Sequence, residues 1–187
     1  MRKVKLQMQL SMDGFVAGPN GEMDWMTWSW GDDIKKYVND LTEPVDTILL
    51  GGHMPEGFIG HWKTVAENPA DEGHAFGKKM YDTHKVVFTK RMTESKWENT
   101  VLAKGDISDE VNNLKNQQGS DIIAYGGANF VSNLIKYNLI DEYQLFINPV
   151  IVGNGMAIFK NVTEKLSLKL VKATPFSCGI VALVYEK

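Results

Sequence analysis

The residues of this chain best suited to chemistry fall in three short clusters, each placed directly after an apolar run. These are Gly51-Gly52-His53-Met54, Thr89-Lys90-Arg91 and Gly126-Gly127-Ala128-Asn129-Phe130. A glycine pair that ends a strand and opens a helix leaves backbone N–H groups facing outward, and the helix start adds roughly half a positive charge, so an anion is attracted there. The same pairs also serve as plain tight turns where φ must be positive. Thr89, Lys90 and Arg91 add a hydroxyl and two cations, a set that suits a phosphomonoester and equally suits a solvated basic face.

Whether the clusters act together depends on the elements that carry them. In an open α/β sheet, ligands lie beyond the carboxyl ends of the strands. Thr47 to Leu50, Lys85 to Thr89 and Ile122 to Tyr125 are apolar runs too short for helices and read as buried parallel strands. Their carboxyl ends would share one edge. Two glycine turns for a diphosphate and a cationic corner for a 2′-phosphate together suit NADPH.

The rest of the chain supplies a frame for such a sheet. Val4, Leu6, Met8 and Leu10 alternate with polar residues, predicting a strand with one buried face. A loop of Gly18, Pro19, Asn20 and Gly21 leads to Trp25, Trp28 and Trp30, which could cover a site or simply anchor a long connection. Asp32 or Asp33 can cap a helix with Ile34, Tyr37, Val38 and Leu41 on one stripe, ended by Pro44. From Gly57 to Gly77 only a short helical segment around Ala75, Phe76 and Met80 is legible. A strand over 99–103, a helix capped by Ser108, and a helix carrying Phe130, Val131, Leu134 and Tyr137 follow. Glu142 to Val152 reads as one long strand, and Leu166 to Thr174 pairs with Gly179 to Lys187 as a closing hairpin, with Cys178 on a half-buried strand. The expectation is one α/β domain over 1–187 with a single core, its mostly parallel sheet extended by antiparallel C-terminal strands.

Composition narrows the function. Hydrophobic residues at 43% and a net charge of −3 describe a soluble globular chain with no basic field for nucleic acid. No uninterrupted apolar run is long enough for a membrane span or a signal peptide, so a cytoplasmic protein is expected. His53, His61, His74 and His84 show no HExxH spacing and Cys178 is the only cysteine, so no metal site is expected. GxSxG, GxxxxGK[ST] and GxGxxG are all missing, which removes serine hydrolases, P-loop enzymes and the standard dinucleotide fold.

In combination, the motifs resemble the dihydrofolate reductase-like superfamily, in its riboflavin-biosynthesis reductase branch (the RibD C-terminal domain). The resemblance rests on Leu10-Ser11-Met12-Asp13-Gly14-Phe15-Val16-Ala17 with Asp24-Trp25, Leu49-Leu50-Gly51, Glu56-Gly57-Phe58 with Trp62, Val86 to Thr89, Tyr125-Gly126-Gly127, and Leu139 to Glu142 through Pro149 to Gly153. It implies a twisted sheet flanked by helices, often paired as a homodimer, that binds NADPH and reduces a pteridine-like or pyrimidine-like small molecule. The implied cofactor residues are Ala17, Gly51, Gly52, His53, Met54, Thr89, Lys90, Tyr125, Gly126, Gly127, Ala128, Asn129 and Phe130. Ser11, Asp13 and Trp25 would face substrate, and Asp33 or Asp13 would be the catalytic carboxylate. No deaminase segment with a zinc signature precedes the reductase-like region, so a stand-alone reductase is expected.

The activity so implied resembles 5-amino-6-(5-phosphoribosylamino)uracil reduction. The alternatives are a true dihydrofolate reductase and a non-catalytic NADPH- or ligand-binding protein of the same fold. Family members commonly carry an arginine or a basic pair where this chain has Gly52-His53, so phosphate binding should weaken there and Gly52→Arg should tighten it.

Overall fold

The computed structural model describes all residues, 1–187. The strands are β1 (Val4–Leu10), β2 (Phe15–Ala17), β3 (Val45–Gly51), β4 (His84–Phe88), β5 (Thr100–Ala103), β6 (Asp121–Gly126), β7 (Glu142–Ile147), β8 (Met156–Ala157), β9 (Lys169–Pro175) and β10 (Val181–Glu186). The helices are α1 (Asp32–Thr42), α2 (Pro55–Ala66), α3 (His74–Asp82), α4 (Ile107–Asn116) and α5 (Ala128–Lys136). Eight strands form one sheet in the order β5-β4-β3-β6-β1-β7-β10-β9. Pairing is parallel from β5 through β7, and β10 and β9 then close the sheet antiparallel. This is the α/β architecture the sequence predicts, a mostly parallel sheet extended by antiparallel C-terminal strands.

Helices cover both faces, so two cores form instead of one. Val4, Leu6, Met8 and Leu10 project into the layer with Val131 and Leu134 of α5, while Ile48, Leu50 and Ile123 meet Ile34 and Val38 of α1, Ile59 of α2 and Met80 of α3. Ile48, Leu49 and Leu50 are fully buried, and each such side chain contributes about 1.5–3 kcal/mol over leaving it in water. β1 lies in the middle of the sheet and is buried on both faces, not one, which puts Lys5 and Gln7 in the interior.

Several expected boundaries move for identifiable reasons. α2 occupies 55–66, where glycines obscured the pattern; Pro55 stands in its first turn and Ile59 points to the core. α1 starts after Gly31 with no side-chain cap, leaving Asp32 and Asp33 in its first turn. Asp106, not Ser108, caps α4, its Oδ1 accepting the N–H of Ser108 at 2.8 Å and of Asp109 at 3.3 Å. β7 stops at Ile147 because Pro149 has no N–H to extend the ladder, and β9 begins only at Lys169. Cys178 lies in the turn between β9 and β10 instead of on a strand. A small sheet of β2 with β8 was not anticipated. No helix is long and apolar enough to cross a membrane.

Candidate functional site

The order β4-β3-β6-β1 makes the strands that precede the three clusters consecutive parallel neighbours, so the clusters meet on one edge. Their contact is close. A Cβ added at Gly51 would lie 2.8 Å from Phe130 Cβ and 3.0 Å from the Gly127 nitrogen, so only glycine lets the β3 turn approach the β6 turn this way. Gly126 has φ +133°, a backbone conformation for which glycine is suited, and the Gly126-Gly127 peptide bond is cis. α2 and α5 both begin at this junction with no side-chain cap, so the free N–H groups of Ala128, Asn129 and Phe130 and of the first turn of α2 face the edge. Phe130 is buried beside Phe88, ring centres 4.8 Å apart, and it contributes through backbone and packing, whereas Asn129 is exposed.

One cofactor candidate faces elsewhere. Tyr125 packs its ring on Phe58 at 5.2 Å and donates its hydroxyl to Met80 Sδ at 3.8 Å, between the sheet and helices α2 and α3. Burial pushes its phenol well above the ordinary range. Only the Tyr125 backbone reaches the strand end.

The basic corner is assembled across β3 and β4. Thr89 is buried, and its Oγ1 accepts the N–H of Arg91 at 3.2 Å and of Met92 at 3.4 Å, which turns the chain back over β3. The Arg91 guanidinium thereby meets the His53 ring, Nη2 lying 3.0 Å from Nδ1 and also in contact with Nε2. Lys90 is exposed beside them. The expectation for Gly52-His53 did not include this contact, in which Arg91, from the turn after β4, places a guanidinium against His53. A Cβ at Gly52 would meet Thr89 Cβ at 3.0 Å and the Phe88 carbonyl oxygen at 3.1 Å, so Gly52→Arg would crowd this corner instead of improving it. Beside it opens a cleft of about 510 Å³ with Trp97 in its wall. Lys96 sits 5.1 Å over that indole and pairs with Glu56 at 2.7 Å.

Of the residues assigned to substrate and catalysis, Ser11 and Asp13 follow β1, Asp33 lies in the first turn of α1 and Trp25 in the long loop, and the first three are engaged in hydrogen bonds that hold turns. Ser11 is buried and its Oγ accepts the N–H of Phe15 at 2.9 Å. Asp13 accepts the N–H groups of Gly153 at 2.7 Å and Val152 at 3.1 Å, joining this turn to the segment after β7. The Ser11 hydroxyl, then those backbone donors, hold the Asp13 carboxyl at about 2. Asp33 accepts from the backbone N–H of Ser177 at 2.7 Å and its hydroxyl at 3.1 Å, which lowers its pKa in the same direction. Both carboxylates are engaged by N–H and O–H donors that hold turns. Ala17 is buried in β2 against β8. Trp25 lies in the long loop, its Nε1 buried without a partner.

The polar side chains of β1 escaped the sequence reading. Asn148, fully buried at the end of β7, accepts the Thr27 N–H at 3.0 Å through Oδ1 and donates to Gln9 Oε1 at 2.8 Å. It pins the tryptophan loop to the sheet. Glutamines alternating with apolar residues read as a solvent face, and only the central position of β1 shows that they are interior.

Comparison with known proteins identifies the family. The RibD C-terminal domain model matches residues 2–182. This chain belongs to that family. Protein YyaP of Bacillus subtilis (strain 168) is 34% identical over 186 residues, covering 99% of this chain and 95% of the relative. The deaminase/5-amino-6-(5-phosphoribosylamino)uracil reductase of Thermotoga maritima shares the fold at TM-score 0.68 and 19% identity, covering 99% of this chain and 56% of that one. Acinetobacter baumannii RibD does so at TM-score 0.69 and 16% identity, covering 100% and 58%. The chain thus corresponds to little more than half of those two proteins.

Within this RibD C-terminal domain, the edge fits a dinucleotide diphosphate on an observation of its own. Two uncapped helix starts converge where glycine at 51 permits contact with Gly127, and the Arg91 guanidinium, in contact with His53, stands one strand away.

Proposed function

We propose that this chain is an NADPH-dependent reductase of a pteridine-like or pyrimidine-like small molecule, similar in activity to the 5-amino-6-(5-phosphoribosylamino)uracil reductase that the Thermotoga maritima relative is named for. The observation that carries the reading is the convergence of both uncapped helices with the Arg91–His53 pair on one strand edge. The α5 start at Gly127 to Phe130 and the α2 start after Gly52 would hold the diphosphate. Thr89, Lys90, Arg91 and His53 would hold the 2′-phosphate, Arg91 being the group able to make paired, charge-assisted hydrogen bonds.

When bound, the cofactor supplies a hydride from nicotinamide C4. The chain's own task is alignment and exclusion of water. The end of β1 and the Ser11 to Ala17 turn border the adjoining space, and the turn is held rigid by Asp13 on Val152 and Gly153. Trp30 donates Nε1–H to the Thr27 carbonyl at 2.8 Å, and Thr27 is tied to Asn148, so the aromatic loop has a fixed seat beside that space. A homodimer belongs to the same reading; the edge strand β9, with Leu170 and Val171 each 52% exposed, supports it.

Titration of the chain with NADPH by nicotinamide fluorescence tests the cofactor. Saturable binding is expected, and no binding at millimolar NADPH would defeat the proposal. NADPH oxidation with dihydrofolate and with the ribosylaminopyrimidine substrate of uracil reductases then separates the enzyme readings. Binding without turnover across reducible heterocycles would favour a ligand-binding protein.

A further inference from the structure

β1 carries three polar side chains on the face it turns toward α1, and they differ in how they are satisfied. Lys5 is paired with Asp121 at 2.7 Å. Gln7 is only 7% exposed, yet its Oε1 has no hydrogen-bond partner. Its cross-strand neighbour Gln144 makes no bond to it; Gln144 accepts from the Tyr37 hydroxyl at 2.7 Å and donates to Glu142 at 2.6 Å. A buried carbonyl oxygen without a donor costs about 1–3 kcal/mol, so a ligand N–H reaching Gln7 Oε1 would recover that cost.

Gln9 is half-buried one step further toward the edge, and its orientation is fixed by a chain of donors. The Thr27 backbone N–H can only donate, so the Asn148 atom facing it is the oxygen. The Asn148 nitrogen therefore faces Gln9, with the Leu10 and Phe146 carbonyls also close, at 3.4 and 3.3 Å. Gln9 must present its oxygen to Asn148, which leaves Nε2 with both N–H groups available. The last β1–β6 pair is Leu6 with Ala124, so Gln9 lies on the part of β1 that runs on past that pairing toward the strand edge.

We infer that the carboxamides of Gln7 and Gln9 form the polar floor of the substrate slot and recognise a neutral lactam or imide edge, C=O beside N–H, on a planar heterocycle. This rests on the reductase reading of the strand edge. A carboxamide offers one acceptor and two donors without charge, matching an amide-type edge; a carboxylate would instead select a protonated amidine. Asn148 is a positioning residue that keeps the Gln9 donor outward, and the two carboxylates that the sequence offers near the substrate, Asp13 and Asp33, are committed to turns.

The test titrates lumazine, a pteridine with an imide edge, into the wild-type chain, Gln7→Met and Gln9→Met, each with and without saturating NADPH. Wild type should bind lumazine, and either substitution should weaken it about tenfold or more, the loss expected for a good hydrogen bond in a dry site. NADPH affinity should stay within about twofold, since neither residue lies at the phosphate positions. Gln7→Met should also raise the melting temperature, because it removes an unpaired buried polar group; a purely structural glutamine would lower it. Wild-type failure to bind lumazine under either condition, or equal binding by both variants, overturns the inference while the NADPH titration reads the reductase proposal separately.

Discussion

The two glycine pairs at the strand edge look alike in sequence and are required for different reasons. Gly126 needs glycine for its backbone: φ is +133°, and an added Cβ would touch nothing nearer than Met54 Cε at 3.7 Å. Gly51 needs glycine for space, its missing Cβ being where Phe130 and Gly127 stand. One turn is shaped by conformation and the other by a neighbour, and together they bring two helix starts to one point. A lone glycine pair is therefore weak information about a ligand, whereas two pairs in contact across adjacent strands define a cradle.

Substitutions can separate these causes. Gly51→Val should have the largest effect, costing about 3 kcal/mol of stability through forced displacement of α5, and should abolish NADPH binding; denaturant melts and cofactor titration measure both. Gly126→Ala should cost about 2 kcal/mol from backbone strain alone. If Gly126→Ala melted like wild type, the conformational half of the comparison would be wrong. Gly52→Arg should weaken NADPH, because its Cβ meets Thr89 and the Phe88 carbonyl. Tighter binding by that variant would show that Arg91 does not occupy the anion corner.

The legible parts of this molecule were those whose signal is local. Thr47 to Leu50 and Ile122 to Tyr125 are unbroken apolar runs, and they became adjacent buried strands; Phe130, Val131 and Leu134 gave α5 its buried stripe. α2 was hidden because Gly57 and Gly60 sit on its surface, where an added methyl group would find nothing within 4 Å, so they neither report nor disturb its packing. The contacts that decide the site are between residues far apart in the chain. Arg91 reaches His53 across two strand ends, and Asp33 is drawn to Ser177 on the closing hairpin. Neither can be read from spacing, and Gln7 and Gln9 declare themselves only once β1 is known to be central and covered on both faces.

A smaller effect sharpens the contrast between turns that bind and turns that brace. Asp13 titrates at about 2 in the fold against an ordinary 3.8, so its stabilising contribution is present above pH 3.8 and disappears as pH falls through 2. The melting-temperature advantage of wild type over Asp13→Asn should shrink across that window and stay level above it. A gap independent of pH would mean that the carboxylate does not brace the β1–β2 turn against Val152 and Gly153.

The most direct test of the central claim is a paired titration of wild type and Arg91→Ala with NADPH and NADH. Wild type should prefer NADPH by about tenfold or more, as expected for charge-assisted contacts to a 2′-phosphate, and Arg91→Ala should lose the preference while NADH binding is unchanged. Equal affinity of wild type for the two cofactors, or an Arg91→Ala variant that keeps the NADPH preference, would contradict that claim.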